Sequence, residues 1–219
     1  MKFESQTLAI LKNFSSINPS ICFKEGQRLR TISPGKTILA QATAVSELPG
    51  TFAIYDLSRF LSVLSLFESP TIATSDTYLT IADERQTVNY TFADLSTITV
   101  PPDKTPVVDN AEISFELTAE ALLRVQKAMG VLSLSEMSVF GDGSKIFLKA
   151  VDSKKTGSDT FAIEVGETSH KFNMIFKAEN IKLLPGAYAT RIASKGIAHF
   201  KGDAVEYWIA TEASSTFGG

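Results

Sequence analysis

The sequence predicts an α+β protein built from two similar domains, each with antiparallel sheets and two helices. Three observations support this fold class. Helix-like and strand-like stretches alternate along the chain, the same pattern occurs twice, and a proline-rich segment separates the two occurrences. A chain of 219 residues is long enough for two such domains.

Each half begins with a predicted amphipathic helix. The stretch KFESQTLAILKNF at 2–14 resembles SFELTAEALLRVQ at 114–126: both have Phe-Glu, a polar link, and an apolar run with a basic residue near its end. Apolar residues recur at helical spacing, which indicates about three turns with one buried face. Thr118 is predicted to be the N-cap of the second of these helices.

Two further pairs of similar stretches follow in the same order. IYDLSRF at 54–60 resembles IFKAENI at 175–181, and VNYTFA resembles VEYWIA near the end of each half. The first of these pairs is predicted to run from a strand into a second helix, over about 56–66 in the first half and 177–184 in the second. Repeated order at matching elements indicates an internal duplication.

Seven segments have the alternation or the aromatic and β-branched content of strands. They are 21–25, 37–44, 51–55, 78–82, 144–150, 159–165 and 204–210. Gly26 and Gly143 predict hairpin turns. SPGKT at 33–37 also predicts a hairpin rather than a phosphate-binding loop, because Arg30 stands where that loop requires glycine.

The segment LSTITVPPDKTPVVDNAE at 95–112 connects the halves. Its prolines and aspartates are incompatible with a central strand or a helix interior. We therefore predict a first domain at 1–100, an interdomain connector at 101–111 and a second domain at 112–219.

The composition is that of an ordinary globular protein, 44% hydrophobic and 21% charged. The formal net charge of −3 does not indicate a nucleic-acid-binding surface over the whole molecule. No apolar run has the length of a bilayer span or the pattern of a signal peptide, so we expect a soluble, cytoplasmic protein. The single cysteine, Cys22, excludes an intrachain disulfide.

The predicted helices are basic although the chain is acidic. They hold six basic and three acidic residues, a formal charge of +3, so the remainder carries −6. Isolated cations among small residues suit non-specific attraction to a phosphate backbone, whereas for any single helix an ordinary solvated face is the alternative. The basic residues are Lys12, Arg59, Arg124, Lys127, Lys177 and Lys182.

No catalytic pattern stands out in the sequence. His170 and His199 have no second histidine at metal-ligand spacing, and no paired titratable groups or nucleophile motif can be named. We therefore expect no enzyme activity, no cofactor and no metal.

Four stretches, TLAILKNFSSIN, FAIYDLSRFLSVLSLF, IADERQTV and EASSTF, occur in that order along the chain. They closely resemble segments of the DNA sliding clamps of T4-type bacteriophages. The resemblance extends over nearly the whole chain and includes about 117–127 in the second half. Its specificity rests on the number and order of the stretches, since none is a chemical motif.

The resemblance implies a homotrimeric ring in which helices line the hole and sheets form the outer wall. Duplex DNA would thread the ring without sequence specificity, and the ring would tether the phage replicative DNA polymerase as a processivity factor. A separate, ATP-dependent clamp loader would open it, late-transcription factors would share it as a platform, and it would work in the cytoplasm of the infected host cell.

The resemblance also implies three sets of site residues. The six basic residues above would face DNA. The partner-peptide pocket would include Pro106, Val107, Val108, Trp208 and Ala210, although Trp208 fits a plain core aromatic equally well. The subunit interface would include Tyr90, Phe92, Phe161 and Ile163.

Three other functions stay open from the residues alone. A monomeric β-rich peptide-binding scaffold would leave the helix charges merely solvated. An enzyme would need a site that the sequence does not reveal. A single-strand-binding barrel would interleave aromatic with basic residues, whereas the aromatic residues here lie in strand patterns away from the basic helices.

Overall fold

The computed structural model describes residues 2–48, 50–155 and 157–218. The chain divides into two compact units, 1–104 and 105–219. Each unit combines antiparallel strands with α-helix, which confirms the predicted α+β class.

The first unit runs from a helix through seven strands to a short 3-10 turn. Its elements are α1 (Ser5–Ile17), β1 (Ile21–Phe23), β2 (Gly26–Ile32), β3 (Ile38–Leu48), β4 (Phe52–Ile54), α2 (Leu57–Leu64), β5 (Thr71–Thr74), β6 (Tyr78–Ala82), β7 (Thr87–Thr91) and the 3-10 turn Leu95–Thr97.

The second unit starts with a strand and contains one α-helix among the residues described. Its elements are β8 (Ile113–Leu117), α3 (Ala119–Val131), β9 (Glu136–Asp142), β10 (Lys145–Val151), β11 (Phe161–Glu167), β12 (Lys171–Lys177), the 3-10 turn Ala178–Asn180, β13 (Tyr188–Ala193), β14 (Ile197–Lys201), β15 (Val205–Ala210) and β16 (Thr216–Phe217).

The two units repeat one strand-pairing scheme. In the first, β1 pairs with β4, β2 with β3, and β5-β6-β7 form a sheet, all antiparallel. In the second, β9 pairs with β12, β10 with β11, and β13-β14-β15 run side by side, again antiparallel. The order of helix, four strands, helical turn and three strands is therefore the same in both.

Helix α1 forms because its apolar residues fall on one face. Ile10, Leu11, Phe14 and Ile17 are buried, and this spacing of three and four residues gives a single stripe. The stripe packs against α2, β2 and β3. The outward face is left to polar residues, including Lys12.

Helix α3 follows the same logic. Thr118 is its N-cap, as predicted, and the Thr118 hydroxyl accepts a hydrogen bond from the Ala121 N–H at 3.1 Å. Leu122, Val125 and Met129 are buried and pack across β9, β10 and β11.

The predicted helix at 177–184 is wrong. Only the 3-10 turn Ala178–Asn180 forms there, and Lys177 is the last residue of β12. Pro185 stands directly after this segment and disfavours helical geometry at the residue before it. Ile181 and Leu183 are buried at the two-residue spacing of an extended chain rather than at helical spacing.

Two of the three predicted hairpins are present. The segment 33–37 joins β2 to β3, and Gly143, with φ of 95°, joins β9 to β10. Gly26 also has a positive φ, 101°, which only glycine adopts easily. It does not close a hairpin, because β1 pairs with β4 and β2 with β3.

Candidate nucleic-acid interface and partner surfaces

Helices α1 and α2 border a groove rich in hydroxyl groups. It contains Lys12 together with Ser15, Ser58, Ser62 and Ser65. The Ser62 hydroxyl donates to the Ser58 carbonyl at 2.9 Å, so its oxygen stays able to accept a further bond. The other lining residues are apolar: Leu8, Leu61, Leu64 and Phe67. One cation and several hydroxyls in such a groove suit only weak contacts to phosphate, which carry no sequence information. The serines were missed in the sequence because single serines on a helix carry little signal.

Arg59 lies in the first turn of α2. Its backbone N–H donates to the carboxylate of Asp56, the N-cap, at 2.9 Å. Its exposed side chain lines a cavity together with Val63, Val88 and Tyr90. Arg59 therefore stands beside strand β7 as well as on a basic helix.

Arg124 and Lys127 lie on the exposed side of α3. Arg124 Nη2 is 2.6 Å from Glu120 Oε1, and the two side chains are 60% and 71% exposed. Such a surface pair within one helix contributes about 0.3–0.5 kcal/mol, so the guanidinium can exchange this partner for a phosphate at little cost.

Lys177 and Lys182 are not on an α-helix. Lys177 Nζ lies 3.8 Å from Glu212 Oε2, and Lys182 is half-buried just after the 3-10 turn. Their DNA-facing role rested on the predicted helix, so it stays a prediction without that support.

The observed α-helices keep the charge asymmetry. They contain Lys12, Arg59, Arg124 and Lys127 against one acid, Glu120, a formal charge of +3. With −3 for the chain, everything outside the α-helices carries −6.

The predicted interface residues lie on or beside β7 and β11, which are two of the strands at sheet edges. Among the described residues, β7 is hydrogen-bonded only to β6 and β11 only to β10. Tyr90 on β7 packs edge-on against Phe60 at 5.2 Å, and Phe92 just beyond it stacks on Phe52 at 5.1 Å. The predicted interface residues thus belong to or adjoin edge strands, where a further strand can add.

The cavity beside β11 is acidic. Phe161 and Ile163 on this strand are half-buried, and Ile163 lines a cavity that also contains Glu116, Glu120, Glu164 and Glu167. The cavity beside β7 instead contains one cationic residue, Arg59, and one acidic residue, Asp56.

The predicted peptide-pocket residues all belong to the second unit. Pro106, Val107 and Val108 lie in an extended segment, in which Val107 is exposed and Val108 is buried. Trp208 and Ala210 lie on β15. Trp208 is buried, as a core aromatic would be, and its pocket role stays a prediction.

A histidine covers one face of Trp208. The His199 and Trp208 rings stack at 4.6 Å with an angle of 6°, and His199 Nε2 lies 2.9 Å from Glu206 Oε2. Burial lowers the pKa of His199, while the hydrogen bond to Glu206 opposes that shift.

A basic cluster on β2 was missed in the sequence analysis. Arg28 and Arg30 occupy alternate positions of this strand, next to Lys24. The pattern RLR could have signalled it, since residues two apart lie on one face of a strand. Nothing in the sequence alone indicates that Arg30 becomes buried.

Across residues 2–48, 50–155 and 157–218 the structure contains no cluster of three metal-binding side chains. No helix in those ranges is long and apolar enough to cross a membrane.

The fold defines the class of protein. The chain superimposes on proliferating cell nuclear antigen (PCNA) from Thermococcus kodakaraensis with a TM-score of 0.71 at 17% identity, covering 97% of this chain and 99% of that one. For Proliferating Cellular Nuclear Antigen from Entamoeba histolytica the TM-score is 0.68 at 10% identity, covering 96% and 97%. Two clamp-type domains in tandem are thus the architecture of this chain.

The sequence comparisons identify the family. Residues 2–100 match the model described as DNA polymerase processivity factor, and 114–213 match gp45 sliding clamp, C terminal. The sliding clamp of Vibrio phage KVP40 is 32% identical, covering 97% of this chain and all of the relative. The sliding clamps of Escherichia phage RB69 and Enterobacteria phage T4 are 33% and 30% identical, each covering 99% of both chains. The chain therefore belongs to the sliding-clamp family of DNA polymerase processivity factors, which is not a catalytic family.

Proposed function

We propose that three copies of this chain form a closed ring that encircles duplex DNA and tethers the phage DNA polymerase. The observation that carries this proposal is the pair of edge strands, β7 in one unit and β11 in the other, on a chain whose α-helices are basic. The ring works in the cytoplasm of the infected host cell, in keeping with its phage relatives.

The edge strands support head-to-tail assembly. A strand edge with free backbone groups is a template for pairing with another chain. Because β7 and β11 differ, their contact is heterologous, and a heterologous contact closes into a ring when the rotation fits. The cavity beside β7 contains Arg59 with Asp56, whereas the cavity beside β11 contains four glutamates, so Arg59 supplies a charge opposite to theirs for the same contact.

The charge distribution supports DNA in the hole rather than outside. Three copies of a helix charge of +3 give +9 along the lining, and the −6 elsewhere in each copy disfavours DNA on the outer surface. Exposed single cations give a salt-dependent, sequence-independent attraction. Tight contacts are unnecessary, because a closed ring is retained on DNA by topology.

Partners bind the ring through short peptides in this proposal. A neighbouring fold, A. fulgidus PCNA, has been solved with the C-terminal region of FEN-1 bound; it has a TM-score of 0.67 at 13% identity, covering 95% of this chain. By analogy, the polymerase tail uses Pro106, Val107, Val108, Trp208 and Ala210. Late-transcription factors use the same surface, and a separate ATP-dependent clamp loader opens the ring, since this chain itself hydrolyses nothing.

The native mass tests the ring first. It is measured from about 0.1 to about 30 µM, a range in which mass action separates oligomer from monomer. We expect a species of three times 23.7 kDa that gives way to monomer on dilution. A monomer throughout would refute the ring and favour the peptide-binding scaffold.

A pair of variants on β11 locates the contact. Ile163→Asp places a charge on the half-buried face of the strand, whereas Ala162→Asp places the same charge on its exposed face. The first is expected to shift the trimer–monomer midpoint at least tenfold to higher concentration, with little change from the second. An unchanged midpoint for Ile163→Asp, with unaltered circular dichroism, would exclude β11 from the interface.

A further inference from the structure

The first unit contains a small pocket that the ring model leaves unused. Its volume is about 140 Å³, and Lys24, Arg28, Arg30 and Asp103 line it. All of these residues belong to the first unit, and none is among the predicted DNA-facing, peptide or interface residues.

Arg30 is the unusual member of this pocket. The residue is only 9% exposed, and its Nη1 donates to the carbonyl oxygens of Pro102 and Asp103. Its Nε and Nη2 are buried and have no hydrogen-bond partner in the described structure. Buried charged donors without partners cost more than neutral ones, so the site is incomplete as it stands.

The two orphaned donors share one edge of the guanidinium plane. On that edge the Nε–H and an Nη2–H bond run nearly parallel, which matches the two oxygens of a carboxylate. Because Nη1 is held by two backbone carbonyls, this edge of Arg30 is oriented in advance.

The neighbouring charges favour an anion. Arg28 donates from Nε and Nη2 to the neutral amide oxygen of Gln41 at 3.0 and 2.6 Å. Burial and the charge of Arg28 lower the pKa of Arg30, and Asp103 opposes this, but a guanidinium stays charged at neutral pH. The pocket thus holds three cations, with Lys24, against the two carboxylates of Glu25 and Asp103.

A movable ion pair stands at the same pocket. Lys24 Nζ is 2.7 Å from Asp103 Oδ1, and these side chains are 54% and 87% exposed. An exposed pair of this kind contributes little to stability, so an incoming carboxylate can displace it and reach Arg30.

We propose that this pocket binds the carboxylate of an acidic side chain on a partner peptide, with Arg30 as the bidentate donor. Cys22, Val100 and Pro101 complete its walls and suit the methylene stem of such a side chain. A space of about 140 Å³ accommodates one side chain but not a nucleotide. The site is formed by residues of the first unit alone, so this proposal can be tested independently of ring formation.

The test follows the arginine Nε–H resonances of the full-length protein during titration with acetyl-Gly-Glu-Gly-amide. The matched probe, acetyl-Gly-Gln-Gly-amide, lacks the carboxylate, and inorganic phosphate is the third arm. Ionic strength is held constant with chloride. The Arg30 resonance is assigned through the backbone and checked with Arg30→Lys, and Arg191→Lys is the control at an exposed arginine of the other unit.

We expect a saturable shift of the Arg30 resonance with the Glu probe only. In Arg30→Lys the binding is followed by the Nε–H resonance of Arg28, which lines the same pocket. Because a bidentate charged hydrogen bond is lost, this variant should bind the Glu probe about tenfold or more weakly, while Arg191→Lys should not. Three results would overturn the proposal: equal shifts with both peptides, a shift with phosphate alone, or uniform shifts of all arginines. Each is measurable on the wild-type chain even if Arg30→Lys fails to fold.

Discussion

Reversing two charges on α3 tests whether this helix faces DNA. In the double variant Arg124→Glu/Lys127→Glu the formal charge of the α-helices falls from +3 to −1 per copy, and that of a trimer from +9 to −3. Because of counterion release, each phosphate contact makes the affinity for DNA fall about eightfold between 0.1 and 1 M salt. At 0.1 M salt, each lost contact therefore lowers the affinity by up to about eightfold. The variant removes two cations in each copy, so the loss of even one contact predicts a drop in processivity on primed DNA of about eightfold, and the loss of more contacts a larger one.

The fold should survive this change. Arg124 makes only an exposed pair with Glu120 within the helix, which contributes about 0.3–0.5 kcal/mol, and the new repulsion between glutamates four residues apart costs a similar amount. The native mass should therefore be unaltered. The difference in processivity between the variant and the wild type should shrink as salt is raised, because screening weakens the interaction of both proteins with phosphate.

A matched control separates position from net charge. Lys36→Glu/Lys154→Glu makes the same change in formal charge at exposed positions outside the helices. It should leave processivity within about twofold, since the proposed ring does not place these residues on its lining. Unchanged processivity of the α3 variant with an intact trimer, or an equal loss in the control, would refute the pore assignment.

Three further changes test the packing. Tyr207→Phe removes the hydroxyl that accepts from the Leu184 N–H at 3.2 Å, and urea unfolding should show a loss of about 1–2 kcal/mol; no loss would mean that water replaces the bond. Gly141→Ala puts a methyl group 2.5 Å from Phe172 Cε1 and should cost about 1–3 kcal/mol, whereas an unchanged unfolding midpoint would contradict the close approach. In the folded state the pKa of His199 is lowered from its ordinary value of 6.5, so folding favours the neutral ring. The free energy of unfolding that this contributes should be lost as pH falls from 6.5 through the lowered pKa of the folded state. His199→Gln should make the melting temperature depend less on pH between about pH 7 and 5. The control is His170→Gln, at the exposed histidine, and an equal pH dependence in the two variants would count against this assignment.

The sequence by itself determined the elements whose signals are local. Helices α1 and α3 were predictable because apolar residues recur at helical spacing, and Thr118 was predictable as a cap because its hydroxyl acts on an N–H three residues away. All seven predicted strands overlap observed ones. The basic character of the α-helices also follows from the sequence, since charge does not depend on packing.

Only the tertiary structure decided which local preferences prevail. The sequence at 177–184 resembles that of α2, yet only a 3-10 turn forms there. Pro185 disfavours a helix at the preceding residue, and Ile181 and Leu183 are buried at the spacing of an extended chain. Whether a strand lies at an edge is likewise a property of the assembled sheet. The sequences of β7 and β11 resemble those of other strands, and only the strand pairing shows that one side of each is open. Arg30 looks like a solvated arginine until the chain some seventy residues further on covers it and holds Nη1, because burial arises from contacts that no local pattern encodes.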